Sequence, residues 1–224
     1  MFIDRFQEIS ACLPSNVNLL AVSKGHPATS IRSLAEIGQV DFGESRLQEA
    51  LPKLEALAES NSLRWHFIGR LQSNKVRGVV RAFDFIHSVD SLDLAERISR
   101  ISFEEKRYPK IMLQVKLRED PTKGGFTPDK LIEDWPKLFL LDHLRIIGLM
   151  TMAPIQLDLD DRKVLFGDCR SLANTLNLPD CSMGMSNDWP QALQAGATWL
   201  RLGSLLFGER PNHVNSPTDI TKSG

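Results

Sequence analysis

The chain has 224 residues, of which 42% are hydrophobic and 25% charged; that balance belongs to a folded globular protein and excludes disordered, collagen-like and membrane-spanning classes. Lys and Arg number 27 against 28 Asp and Glu, a formal charge of -1, so no global basic field is available to hold nucleic acid or an acidic membrane surface, although a local anion pocket is allowed. Three cysteines, Cys12, Cys169 and Cys181, without C-x-x-C spacing argue against a disulfide framework or structural zinc site and fit a reducing compartment.

In chain order, Met1-Phe2-Ile3-Asp4-Arg5 places an acid where a secretory signal needs basic and then apolar residues, so a cytoplasmic protein is expected. Phe2, Phe6 and Ile9 at helical spacing make 3–12 a helix. Short apolar, β-branched or aromatic runs then alternate with stretches of helical period. The strands are expected at 18–23, 40–42, 64–68, 85–89, 111–115, 146–150, 181–183 and 199–202. The helices between them are expected at 27–37, 44–59, 72–81, 91–106, 128–141, 158–176 and 189–195, with a short one at 204–207. Pro27 and Pro128 near first turns, and Ser91 as an N-cap, mark helix starts. Only the tail 211–224, polar with Pro217 and Gly224, reads as loosely ordered.

Alternation of this kind gives βαβ units and a parallel sheet. About eight strands in roughly 200 to 250 residues close a (β/α)8 barrel; a doubly wound open sheet is the other architecture, because strand order cannot be read from periodicity. With no linker, repeat or composition shift, residues 1–224 are expected to form one domain, with the helix at 3–12 outside the barrel or across its bottom.

Barrel enzymes carry their sites at the C-terminal ends of the strands. Lys24 follows the apolar run Leu19-Leu20-Ala21-Val22, where a partly desolvated amine can form an imine; taken alone, a strand-end lysine that simply reaches solvent is the stronger reading, and the other strand ends change the balance. The last two expected strands are followed by Ser182-Met183-Gly184-Met185-Ser186 and by Gly203-Ser204. A Gly and hydroxyl after each of the last two strands is how a barrel builds a phosphate cradle, although a lone Gly-Ser pair is usually only a turn. A strand-end lysine facing such a cradle describes a pyridoxal phosphate site.

Ala21-Val22-Ser23-Lys24, Phe42-Gly43-Glu44, Gln48-Glu49, Trp65-His66-Phe67-Ile68-Gly69, Leu71 to Lys75, Gly148-Leu149-Met150, Ser182 to Ser186 and Arg201 to Gly208 together resemble the pyridoxal phosphate homeostasis protein family. The resemblance runs in order from Leu20 to Arg210. It implies a single modified TIM barrel with an extra N-terminal helix, like the N-terminal domain of alanine racemase. It further implies a fold type III binder of pyridoxal 5'-phosphate (PLP) without established catalysis, serving vitamin B6 and amino-acid homeostasis. Lys24 matches the family's Schiff-base lysine. Ser182, Ser186, Gly203 and Ser204 match its phosphate-binding segments, Met150 a residue lining the ring, and Arg201 the arginine facing the pyridine nitrogen. Ser45 and Lys116 depart from the commoner Asn, which touches fine geometry rather than the lysine or phosphate motifs.

An arginine there stays protonated and keeps the ring nitrogen unprotonated, which weakens the cofactor as an electron sink. The competing reading is a PLP-dependent amino-acid racemase, which in the alanine racemase pattern needs a tyrosine from a second domain. The single tyrosine, Tyr108, precedes the fifth strand and so belongs to the opposite face. His66 and His87 are the other candidate bases, each equally readable as a buried imidazole bonded to backbone. PLP is thus the expected ligand, with apo-enzymes that accept it as transient partners, no nucleic acid, no membrane, and a monomer. The basic stretch Arg70 to Arg81 reads as a solvated helix face, Asp158, Asp160 and Asp161 as an acidic first turn, and Cys181 as a small core hydrophobe.

Overall fold

The computed structural model describes residues 2–60 and 62–208; the tail 211–224, expected to be loosely ordered, lies outside the described residues. Eight parallel strands pair in sequence order and β8 returns to β1, so the sheet closes into a barrel and the open-sheet alternative falls. The strands are β1 (Asn18–Val22), β2 (Asp41–Glu44), β3 (Arg64–Phe67), β4 (Phe85–Val89), β5 (Lys110–Gln114), β6 (Arg145–Met150), β7 (Asp180–Ser182) and β8 (Trp199–Leu202). Among the described residues the helices are α1 (Phe2–Cys12), α2 (Ala28–Ala35), α3 (Leu47–Ala56), α4 (Val76–Ala82, led in by a 3-10 turn at Ser73–Lys75), α5 (Leu92–Glu105), α6 (Pro128–Phe139), α7 (Leu159–Thr175), α8 (Trp189–Gln194) and α9 (Ser204–Phe207).

Strand alternation divides the apolar residues into two clusters. Leu19, Ala21, Phe42, Trp65, Phe67, Leu200 and Leu202 point outward and join the apolar faces of the helices. Leu20, Phe85, Met112, Ile147, Met150 and Trp199 form a separate, smaller cluster inside the barrel. The interior is filled, but not by apolar residues alone: His66, His87, Ser182 and Arg201 occupy the alternate positions of their strands and are all buried.

Helix α1 packs outside the barrel against α2 and α9, where Phe2 meets Phe207 at 6.1 Å between ring centres. It does not cross the bottom. Caps occur where the sequence places them: the hydroxyls of Ser91 and Thr127 accept from the N–H groups of Leu94 and Lys130. The Asp158 carboxylate accepts from Asp161 N–H at 2.8 Å. That settles Asp158 as a helix cap, and no cluster of three metal-ligating side chains occurs among the described residues.

Two boundaries differ from the sequence reading in a way that bears on the site. The strand expected at 40–42 extends through Glu44, pairing in register from Asp41↔Arg64 to Glu44↔Phe67, and α3 starts at Leu47 instead of 44. Glu44-Ser45-Arg46 looks polar enough to open a helix, yet the Glu44 side chain is fully buried. Its tertiary partners, described next, make the strand tolerable.

Candidate functional site

The C-terminal mouth collects the ends of neighbouring strands. Strands β1 and β8 run side by side in the register Ala21↔Leu202, so the backbone at Lys24, two residues past β1, lies at the same end of the barrel as the Gly203-Ser204 turn that follows β8. The approach is close: a Cβ on Gly203 would stand 3.3 Å from the Val22 carbonyl oxygen. The loop after β7 joins from the other side. Ser186 Oγ accepts from Leu205 N–H at 3.2 Å in the first turn of α9. Gly184 there has φ +87°, a left-handed conformation, and a Cβ would come within 2.5 Å of Ala192 Cβ. Asp188 shapes that loop by accepting from Met185 N–H at 2.7 Å and from Arg162 at 3.1 Å.

Lys24 itself is half-buried, and the segment around it is clamped. Glu44 Oε1 accepts from Ser23 Oγ and from Lys53 Nζ, both at 2.7 Å. Lys53 Nζ also donates to the Ser23 carbonyl at 3.0 Å and to Glu49 at 2.9 Å, and Glu49 accepts from Gly25 N–H. The residues on both sides of Lys24 are therefore fixed by one buried ion cluster. Burial pushes the Glu44 carboxyl above its usual range despite Lys53 and Ser23, whereas Glu49, also pushed up by burial, is brought below it by Gly25 N–H and Lys53. Glu44 Oε2 is buried with no hydrogen-bond partner.

Arg201 projects into the barrel from β8 and is 5% exposed. It donates to Ser182 Oγ and to the Thr151 carbonyl, both at 2.8 Å. These acceptors are neutral, and among the described residues no carboxylate bonds it. Burial lowers its pKa to about 10, which leaves a cation at neutral pH. Such a guanidinium retains donor capacity for a neutral acceptor, and a pyridine nitrogen is one; the donor set fits the cofactor that the resemblance implies. Met150 ends β6 in the interior cluster.

Of the seven residues expected at the site, Lys24, Met150, Ser182, Ser186, Arg201, Gly203 and Ser204, all lie at or just inside this mouth. Ser182 is set apart, because its hydroxyl is committed to Arg201 and to His87 Nδ1 at 2.9 Å. Ser45 sits under Gly69, where any Cβ would meet the Ser45 carbonyl at 2.0 Å. Lys116 is half-buried beside Met152 at the end of β5 and lies 3.7 Å from Glu119. Sequence reasoning missed Lys53 entirely; the signal available was its i,i+4 spacing from Glu49, indistinguishable from a surface pair.

The candidate bases of a racemase are placed away from the mouth or already engaged. Tyr108 is 65% exposed and lines a cleft of about 520 Å³ at the N-terminal mouth, formed by the starts of β3, β4 and β5. His66 and His87 are fully buried, bonded to each other at 2.9 Å, to Asp41 and to Ser182, and not to backbone. Arg77 and Arg81 pair with Glu104 and Glu105 on the surface, so this part of the basic stretch is a solvated face. Cys181 belongs to the outer core.

The family model for the alanine racemase N-terminal domain matches residues 2–211. The pyridoxal phosphate homeostasis protein of Synechocystis sp. is 48% identical over 211 residues, 92% of this chain and 97% of the relative. PipY of Synechococcus elongatus, solved with PLP bound, superposes with a TM-score of 0.90 at 45% identity, covering 93% of this chain and all of that one, 100%. Alanine racemase of Clostridium difficile shares the fold with a TM-score of 0.76 at 16% identity, and the matched region is 57% of that longer chain. Sequence motifs, closed barrel and strand-end residues thus agree, and the chain belongs to the pyridoxal phosphate homeostasis protein family.

Proposed function

We propose that this chain binds PLP and takes part in its intracellular homeostasis, and with it that of amino and keto acids, as a non-catalytic cytoplasmic monomer. The observation that carries the reading is the buried, carboxylate-free guanidinium of Arg201 inside the mouth where Lys24 and the Gly203-Ser204 turn meet. When bound, the cofactor would supply an electrophilic aldehyde carbon, and the Lys24 amine is the group that would hold it covalently. Ser186, Gly203 and Ser204 would hold the phosphate, Met150 would lie against the ring, and Arg201 would donate to the ring nitrogen. Ser182 serves the ring end through Arg201. The Glu44, Lys53 and Glu49 cluster orients Lys24 by fixing the backbone on either side.

Support for a non-catalytic role comes from the interior histidines. Burial holds both below the usual imidazole range, and every ring nitrogen is already bonded. Neither is placed to serve a second substrate face. Arg201 also disfavours chemistry that needs a protonated ring.

The test is borohydride reduction of protein incubated with PLP, followed by peptide mapping. The expected result is a visible absorption band and an adduct on the Lys24 peptide, both absent from Lys24→Ala, with slow transfer of cofactor to an apo-enzyme. No band and no adduct in the wild type would remove the reading. Racemisation across a panel of amino acids would instead favour the racemase.

A further inference from the structure

Five side chains run in file through the barrel interior, from the mouth that bears Lys24 to the opposite one. Arg201 Nη1 donates to Ser182 Oγ at 2.8 Å, Ser182 Oγ meets His87 Nδ1 at 2.9 Å, His87 Nε2 meets His66 Nδ1 at 2.9 Å, and His66 Nε2 meets Asp41 Oδ1 at 2.9 Å. The other Asp41 oxygen accepts from Arg64 at 2.5 Å, and Arg64 lines the N-terminal cleft. Five strands contribute one residue each to the file: β8, β7, β4, β3 and β2.

The direction of every bond follows from its ends. Burial pushes the Asp41 carboxyl up, but the bonds and charges of His66 and Arg64 outweigh that and hold it below its usual range, so it is an ionised acceptor. His66 must present Nε2–H to it. A neutral His66 then has a lone pair at Nδ1, so His87 also carries its proton on Nε2. The His87 Nδ1 lone pair accepts the Ser182 hydroxyl proton, and the Ser182 oxygen accepts from Arg201, which can only donate. All protons point one way, from a fixed cation to a fixed anion. Hydrogen bonds in such a chain polarise one another, so the Asp41 charge makes Ser182 a better acceptor for the guanidinium.

We propose that Asp41, His66, His87 and Ser182 form a one-way relay of positioning residues that holds Arg201 charged and aimed at the ring nitrogen of the bound cofactor, with Asp41 at the opposite mouth as its distant counter-charge. The inference rests on the reading above that the mouth binds PLP. It assigns a cofactor-directed role to a carboxylate that no ligand in that mouth touches. The two ends of the barrel are thereby coupled through a contiguous physical network.

The first measurement needs no cofactor. In protein labelled with 15N-histidine, nitrogen chemical shifts of His66 and His87 are expected to show two neutral rings, each protonated on Nε2; a cationic ring, or one protonated on Nδ1, overturns the relay. The second uses PLP-loaded protein and the variants Asp41→Asn, which removes the charge but keeps the shape, and Ser182→Ala, which cuts the chain beside Arg201. Both are expected to fold, to keep the Lys24 adduct, and to release PLP roughly fivefold faster with a displaced visible band. Wild-type release and spectrum in both variants would overturn the proposal. A wild type that retains no PLP overturns the function itself, while the nitrogen shifts still report on the relay separately.

Discussion

Two polar assemblies are buried in this barrel, and they solve the problem of burial differently. Under Lys24, charge meets charge: Lys53 Nζ lies 2.7 Å from Glu44 and 2.9 Å from Glu49, and Lys53 and Glu49 hold backbone groups on either side of the lysine. Through the centre, charge is kept apart: Arg201 and Asp41 stand at opposite ends with a serine and two neutral histidines between them. The first arrangement fixes a loop. The second aims one side chain without placing an anion beside it, which would compete with a ligand for the guanidinium. A site that needs both a held amine and an available cation uses each device where it belongs.

The largest effect is expected where the contrast is sharpest. Lys53→Met leaves fully buried Glu44 as an uncompensated carboxylate and should cost roughly 3–5 kcal/mol of stability, read as a shift in the urea unfolding midpoint. Adding Glu44→Gln to that variant should restore a good part of it, since the orphaned charge is gone; no restoration would mean that packing, not charge, is at issue.

Next comes pH. Ring pKa values of His66 and His87 are lowered by burial, His87 by far the more, so below about pH 6.5 the unfolded chain takes up protons that the folded rings refuse. Stability is therefore lost as pH falls through that window, at up to about 1.4 kcal/mol per pH unit for each histidine. Glu44 acts with the opposite sign. Its folded pKa is raised, so acidification between that value and about 4.5 takes a proton into the folded state and favours it. Asp41, whose folded pKa is lowered, contributes stability above about 3.8 that disappears below it. Urea unfolding at a series of pH values measures the sum, and a flat curve from neutrality to about pH 5.5 would contradict the neutral centre of the relay.

The smallest effect is the control. Arg77 pairs with Glu104 and Glu105 in the same kind of contact as Lys53, but on the surface with its side chain 45% exposed. Arg77→Ala should leave the unfolding midpoint within experimental error, because solvent screens the exposed pair.

Much of this was legible in the sequence. Strands 85–89 and 199–202 match the sequence reading to the residue, because short apolar, β-branched or aromatic runs between helical stretches are a local signal. The seven expected site residues fall at one mouth because the expected ends of β1, β6, β7 and β8 agree with the structure to within one residue, and barrel geometry brings strand ends together. Glu44 was misread because its burial depends on Lys53, nine residues on, and on Ser23, just past the end of β1. The histidines were noticed, but as isolated rings with backbone partners, when their partners come from strands 21 to 95 residues away.

By itself, then, the sequence determined the alternation of elements, the helix starts, the lysine and the Gly and Ser turns, all set by propensities and spacings within a few residues. Closure of the sheet, the clamp around Lys24 and the file of side chains from Arg201 to Asp41 were decided only by the tertiary structure. Each depends on groups brought together from different elements of the fold, and a buried polar group takes its state from the neighbours that satisfy it, which local sequence does not record.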